Sequence, residues 1–416
     1  MFKRIAAVLL VLLMAITIPM APARGAAQKV TAPQVKNQDQ PQEQGQASGQ
    51  GGEGQEEKPL PVKVEAAAAI VMEPESGLVI YEKNINERHF PASTTKLMVL
   101  LLIVEAVERG EVSWQDMVTA SANAAGYGGS QIYLAEGEVL SLWDLTLGIA
   151  VASGNDAAVC VAEYMAGSHE AFVEKMNQRA RELGMKDTHF VNANGLHDDN
   201  HYTTAWDLCL LAQEAIRHPK LLELTATKHY RIREDTKKPF QYNNTNKLLW
   251  QFEGSTGLKT GWTLQAGYCL VGFAERDGLK MVSVVMSNPV AKGHVNDTKA
   301  LLSWAFNTYI RYRPAPQELP EVRLNVYKGK SATISGELPE DWGVPARKGQ
   351  EVSIRYGWRG PVEVEAPIEA GQFLGYLTIT DESQEVQLEL PVKASKEVEK
   401  AGFGFTWGRI LSEIFF

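Results

Sequence analysis

The chain of 416 residues holds only three cysteines, Cys160, Cys209 and Cys269, each in an apolar setting and tens of residues from the next. That number and spacing support neither a disulfide framework nor a cysteine zinc cluster, and leave buried structural thiols, with a reactive odd thiol as the alternative. Positive charge is also short. Lys and Arg number 41 against 50 Asp and Glu, for a net charge of -9, without the basic footprint of a nucleic-acid binder. No apolar run reaches the roughly 20 residues of an ordinary membrane-spanning helix. The nearest approach, Ile5 to Met20, follows Lys3 and Arg4 and precedes the small residues of "APARGAAQ". This three-part plan reads as a secretory signal peptide over residues 1–27, cleaved after Ala23 or Ala27; an uncleaved anchor is the other reading.

Past residue 27 the chain divides by composition. Residues 28–63 are dominated by Gln, Gly, Glu and Pro, with almost nothing to bury, which makes a flexible spacer. Order is expected from Val64. "AAAAIVMEP" and "GLVIYEK" form one hairpin through Glu75, Ser76 and Gly77, and "AGYCLVGFAE" and "LKMVSVVMSN" form another around Arg276, Asp277 and Gly278. Between them the periodicity is helical, as in "NDAAVCVAEYMAG" and "TAWDLCLLAQEAIRH". The fold class expected for residues 64–313 is therefore α+β, an antiparallel sheet built from both ends of the domain, with packed helices and a helical insertion. Residues 314–394 alternate apolar and polar between turn formers, as in a small all-β domain. Residues 395–416 put Trp407, Ile410, Leu411, Ile414 and Phe415 on one helical face. Such a stripe fits a membrane interface or a terminal helix docked on its own protein, and Gly402, Gly404 and Gly408 weaken the helix at its start.

Chemistry concentrates in three short motifs. "PASTTKLM" sets Ser93 and Lys96 three residues apart at the mouth of the strongly apolar run "LMVLLLIVEAVERG", a spacing that brings a hydroxyl and an amine onto one helical face. "VASGNDAA" puts Ser153, Gly154 and Asn155 between two apolar helices, and "STGLKTGWT" puts Lys259, Thr260, Gly261 and Trp262 just before a strand pair, on an expected edge strand. Each alone is an ordinary cap, turn or strand entry. Together, in this order and setting, they match the signature set S-x-x-K, S-D-N and K-T-G of penicillin-binding proteins and class A β-lactamases.

Residue type already suggests a mechanism. A serine must lose its proton to attack an acyl carbon, and a lysine accepts it only when neutral, which burial and a neighbouring cation favour. Ser93 is the expected nucleophile and Lys96 its base. Ser153 is placed to relay a proton to the departing amine, Asn155 to orient Lys96 and the substrate, and Lys259 and Thr260 to hold a terminal carboxylate.

The chain resembles the low-molecular-weight penicillin-binding proteins that act as D-alanyl-D-alanine carboxypeptidases, through "FPASTTKLM", "VASGNDAA", "FVNANGL", "HYTTAWDL" and "TGLKTGWT" together with the β-rich domain and amphipathic end. The form with Gly154 in the second motif is the one seen in that group. The resemblance implies a serine β-lactamase/penicillin-binding-protein-like domain and an oxyanion hole from the backbone N–H groups of Ser93 and Trp262. It implies peptidoglycan stem peptides as substrate, β-lactam antibiotics as covalent inhibitors of Ser93, and a place on the outer face of the cytoplasmic membrane, held through the C-terminal helix. No metal or cofactor is required. Many relatives carry histidine where Trp262 stands. No E-x-x-L-N segment lies in the interval between the second and third motifs, where "MKDTHFVNANGLHDDNHYTT" stands instead, which argues against an efficient β-lactamase. A cross-link endopeptidase, a weak β-lactamase and a non-enzymatic β-lactam sensor or wall-binding module are the alternatives. Lys247 is read as a solvated lysine or an added cation for the carboxylate. His197 and His201, around Asp198 and Asp199, are read as a capped turn or a metal site.

Overall fold

The computed structural model describes residues 61–402, apart from 235, 237–238 and 382–385. The signal-peptide and spacer expectations, and the stripe from Trp407 to Phe415, lie outside the described residues.

Two hairpins supply most of the central sheet. Strands β1 (Ala68–Glu73) and β2 (Leu78–Lys83) form the first, and β4 (Gly267–Arg276) and β5 (Leu279–Asn288) the second, with β3 (Ser255–Thr263) preceding it. The order is β2-β1-β5-β4-β3, antiparallel throughout, so the two ends of the domain meet where β1 pairs with β5. Both faces of the sheet are covered, which explains why β1 is apolar without alternation. Ala68, Ile70 and Met72 enter the core on one face, while Ala69 and Val71 enter the core on the other.

The first core surrounds helix α1 (Lys96–Glu108), buried from Lys96 through Ala106. A helix apolar on every side must be enclosed, and α2 (Leu142–Val151), α3 (Asn155–Ala166), α4 (His169–Glu182) and α5 (Ala205–Ala215) contribute to that enclosure. The second core lies under α6 (Gly293–Thr308), through Leu301, Leu302, Ala305 and Phe306. Cys160, Cys209 and Cys269 are free and buried, and desolvation raises all three thiols, Cys160 to about 12 and Cys269 to about 11.

The strand Tyr309–Tyr312 leaves α6 directly and pairs with Val344–Arg347, while Arg311 forms an ion pair with Asp341. Beyond it lies a six-stranded sheet. Leu324 and Val326 are buried between exposed Arg323, Asn325 and Tyr327, as the alternating sequence requires. Strand-type pairing does not stop at residue 394, where the sequence pattern ends this domain. Val398, 3% exposed, bridges to Ile368, and Lys400 bridges to Gly329. The sequence alternation is lost there because these are isolated bridges, not a regular strand. Among the described residues no helix is long and apolar enough to cross a membrane.

Candidate active site

Ser93 sits on a single 3-10 turn, Ala92–Thr95, that runs directly into α1. The cap at the mouth of α1 is Thr95, and its side chain makes no capping bond; it donates instead to Ala92 O at 2.8 Å. The Ser93 hydroxyl is therefore not consumed as a helix cap. It lies 2.8 Å from Lys96 Nζ, so the i, i+3 spacing has brought the two groups together.

Lys96 is 0% exposed. Its Nζ also lies 2.7 Å from Asn155 Oδ1 and 2.5 Å from Asn194 O. A neutral amine has two N–H bonds and one lone pair. The two acceptor-only oxygens take the N–H bonds, which leaves the lone pair for the Ser93 O–H. Electrostatics agree, because burial, followed by the nearby Lys259 charge, holds Lys96 well below the ordinary lysine range.

Lys259 enters from β3, the edge strand of the sheet, as expected, and is 1% exposed. Its Nζ donates to Ser153 Oγ at 2.9 Å and to Thr260 O at 3.0 Å. Burial lowers it to about 7. Ser153 stands between α2 and α3 with φ at 60°, in the left-handed region, and Asn155 opens α3. Gly261 is where β3 passes the nucleophile: a Cβ there would lie 2.9 Å from Pro91 O, Ser93 N and Thr94 N. Trp262 is 55% exposed and its ring packs against Tyr268, centroids 5.8 Å apart.

Sequence alone assigns several contributors no role in the site, although "FVNANGL" and "HYTTAWDL" carry part of the resemblance. Asn194 acts through its backbone carbonyl. Its neighbour Gly195 has φ at +81°, and a Cβ there would fall 2.0 Å from Ala92 O, so only glycine lets this loop close on the nucleophile turn. His201 is 1% exposed; its Nδ1 accepts from Val191 N at 3.0 Å and its Nε2 therefore donates to Thr95 Oγ1 at 2.7 Å. Burial lowers this imidazole to about 4, so it is a neutral prop beneath the turn. Thr245, in "NNTNKLLW", places its hydroxyl 2.7 Å from that of Thr260. Lys247 is exposed, with its Nζ 4.9 Å from the Trp250 ring centroid. His197 stands edge-on to Phe90.

Glu105, Glu214 and His218 bring ligand-type atoms within 4.8 Å of one another. The Arg179 guanidinium donates to both carboxylates, at 2.7 and 2.8 Å, which makes the group an ion-pair network. The cavity of about 670 Å³ beside it is lined mostly by charged residues of α1, the turn after it and α4, and by none of the residues around Ser93.

The two lysines, two serines and asparagine thus form a water-poor centre suited to acyl transfer through a serine ester. Comparison with known proteins points the same way. Residues 54–290 match the peptidase S11 family model, D-alanyl-D-alanine carboxypeptidase, and residues 318–400 match the C-terminal domain of penicillin-binding protein 5. The D-alanyl-D-alanine carboxypeptidase DacF of Bacillus subtilis is 38% identical over 336 residues, covering 80% of this chain and 86% of that protein. Penicillin-binding protein 5 of Haemophilus influenzae superposes with a TM-score of 0.66 at 28% identity, covering 82% of this chain and 100% of that structure. Penicillin-binding protein D2 of Listeria monocytogenes, solved in its ampicillin-bound form, is 34% identical with a TM-score of 0.53, covering 58% of this chain and 98% of that structure. With a family model spanning more than half its length and these relatives, the chain belongs to the S11 peptidases, the D-alanyl-D-alanine carboxypeptidase family.

Proposed function

We propose that this protein is an exported serine D-alanyl-D-alanine carboxypeptidase that removes the terminal D-alanine of peptidoglycan stem pentapeptides. The observation that carries the reading is the Lys96 amine, buried, held below the ordinary lysine range by burial and by Lys259, and 2.8 Å from the Ser93 hydroxyl. Lys96 takes the Ser93 proton as Oγ attacks the carbonyl carbon of the penultimate D-alanine. The oxyanion is received by backbone N–H groups of Ser93 and Trp262. The C–N bond then breaks, the proton that Lys96 took from Ser93 is relayed through the Ser153 hydroxyl to the departing amine, and D-alanine leaves with Lys96 neutral again. Lys259 and Thr260, with Thr245 beside it, hold the carboxylate of the leaving residue. Water hydrolyses the resulting ester and frees Ser93. β-Lactams acylate the same oxygen.

The basic start, the apolar Ile5–Met20 and the small residues after it support export. The stripe from Trp407 to Phe415 supports attachment to the outer face of the cytoplasmic membrane. The deciding experiment is D-alanine release from diacetyl-Lys-D-Ala-D-Ala by the chain beginning at Pro59, beside Ser93→Ala. Release that vanishes in the control establishes the carboxypeptidase. Penicillin acylation without release points to an endopeptidase or a sensor, and absence of both rejects the acyl-transfer reading.

A further inference from the structure

Asp156 follows Asn155 in α3 and is 0% exposed. A carboxylate in such a place needs compensation. Backbone amides supply it: Ile132 N is 3.1 Å from each oxygen, Leu134 N 3.0 Å from Oδ2, and Ala157 N 2.8 Å from Oδ1. Two of these donors belong to the loop 127–134, far from α3 in sequence. Gly154 makes the reach possible, since a Cβ there would lie 2.9 Å from Asp156 Oδ1.

The same loop grips Asn155 at two points. Gly128 O accepts from Asn155 Nδ2 at 2.7 Å, and Ser130 O accepts from the Asn155 backbone N–H at 2.7 Å. The first contact fixes which end of the amide faces inward. With Nδ2 held by Gly128 O, Oδ1 is turned to Lys96 Nζ. An amide rotated by half a turn would set Oδ1 against the Gly128 carbonyl oxygen, two acceptors with no proton between them.

We propose that Asp156 is a positioning residue for acyl transfer: its carboxylate pins the 127–134 loop, and the pinned loop orients the Asn155 amide toward Lys96. The inference rests on the function proposed above. Asp156 also acts on Lys96 through space. Of the charges facing that amine, Lys259 on β3 lowers it and Asp156 on α3 raises it, while His201 is neutral above about pH 4.

The test uses the full chain in detergent and measures acylation of Ser93 by labelled penicillin. Asp156→Asn should react on the order of 10- to 100-fold more slowly, the usual effect of a displaced catalytic group. The acid limb of its rate profile should move to lower pH, because the charge favouring protonated Lys96 is gone. In an Asn155→Ala background, with rates compared at a pH above the acid limb, the same change should add nearly nothing, since its positioning effect runs through that amide. Gly154→Ala, at a φ of -58° open to alanine, keeps every charge but crowds the carboxylate. It should slow acylation without moving the acid limb, and it decides the matter if Asp156→Asn does not fold. A normal rate in either folded variant, or losses that simply add in the Asn155→Ala background, would overturn the proposal. Failure of penicillin to acylate the unaltered protein at Ser93 would instead overturn the function beneath it.

Discussion

Lys259 Nζ and Ser153 Oγ stand 2.9 Å apart although 106 residues separate them in the chain. The edge strand β3 brings the first, the turn between α2 and α3 the second. Ser153 is thereby linked to one lysine while Asn155, two residues on, is bonded to the other. The second motif is the strut that sets the spacing between the two amines.

Replacing Lys96 should separate folding from chemistry. Lys96→Ala removes an amine that is buried against its preferred charge state, so the fold should survive. Loss of a positioned general base should slow penicillin acylation by about 10²- to 10⁴-fold. The check is the time course of the acyl-enzyme by intact mass; acylation at the normal rate would reject Lys96 as the base.

Activity should follow a bell in pH. Lys96 must be neutral to accept a proton, so kcat/KM falls on the acid side as it is protonated. Lys259 must be charged to hold a carboxylate, and burial sets it at about 7, so kcat/KM falls above that value through a rising KM. A substrate ending in D-alaninamide should lose the alkaline limb and keep the acid one.

Stability should carry the mark of the same lysine. The folded value of Lys259, about 7, lies below its ordinary 10.5, so between these values the unfolded chain binds the extra proton and stability rises with pH. The stabilising contribution is full above about 10.5 and is lost as pH falls to about 7. The Tm of Lys259→Met relative to the unaltered protein should therefore be highest near pH 7 and decline toward pH 10. A constant difference would mean that Lys259 is not depressed.

Gly195→Ala should disable Ser93 from a distance. The added Cβ meets Ala92 O at 2.0 Å in a backbone with φ at +81°, and strain of this kind destabilises by roughly 2–4 kcal/mol. Urea unfolding should show that loss, and penicillin acylation should fall with it. A variant of unchanged stability and rate would show that the loop does not brace the nucleophile turn.

A penicilloyl ester on Ser93 should persist for minutes or longer. The partners of the two lysines are hydroxyl, amide and carbonyl oxygens, with no carboxylate among them to activate water. Mass spectrometry after removal of free ampicillin gives the lifetime; loss within seconds would mark a β-lactamase.

Truncation should distinguish tail from domain. Removing residues 395–416 takes away Val398, which is 3% exposed and bridged to Ile368, and should lower the Tm. Removing 403–416 should leave the Tm unchanged while releasing the signal-cleaved protein from lipid vesicles. Equal Tm losses from the two cuts would contradict the assignment of residues 395–400 to the β-rich domain.

By itself the sequence determined the parts whose signals are local. Periodicity gave the two hairpins and the enclosed helix α1, because burial on one or both faces dictates residue type every two or three to four positions. Ser93, Lys96, Ser153, Asn155, Lys259 and Thr260 could be picked out because three short motifs, each ordinary alone, occur together in the order and setting of one catalytic signature. Tertiary structure alone decided the rest. Asn194 offers a backbone carbonyl, which every residue possesses, so no letter announces it. Thr245, His201 and Asp156 look like ordinary polar residues until folding places them against Thr260, Thr95 and the 127–134 loop. The direction of the Lys96 lone pair depends on two oxygens from distant segments, and that orientation is fixed only when the chain has closed around it.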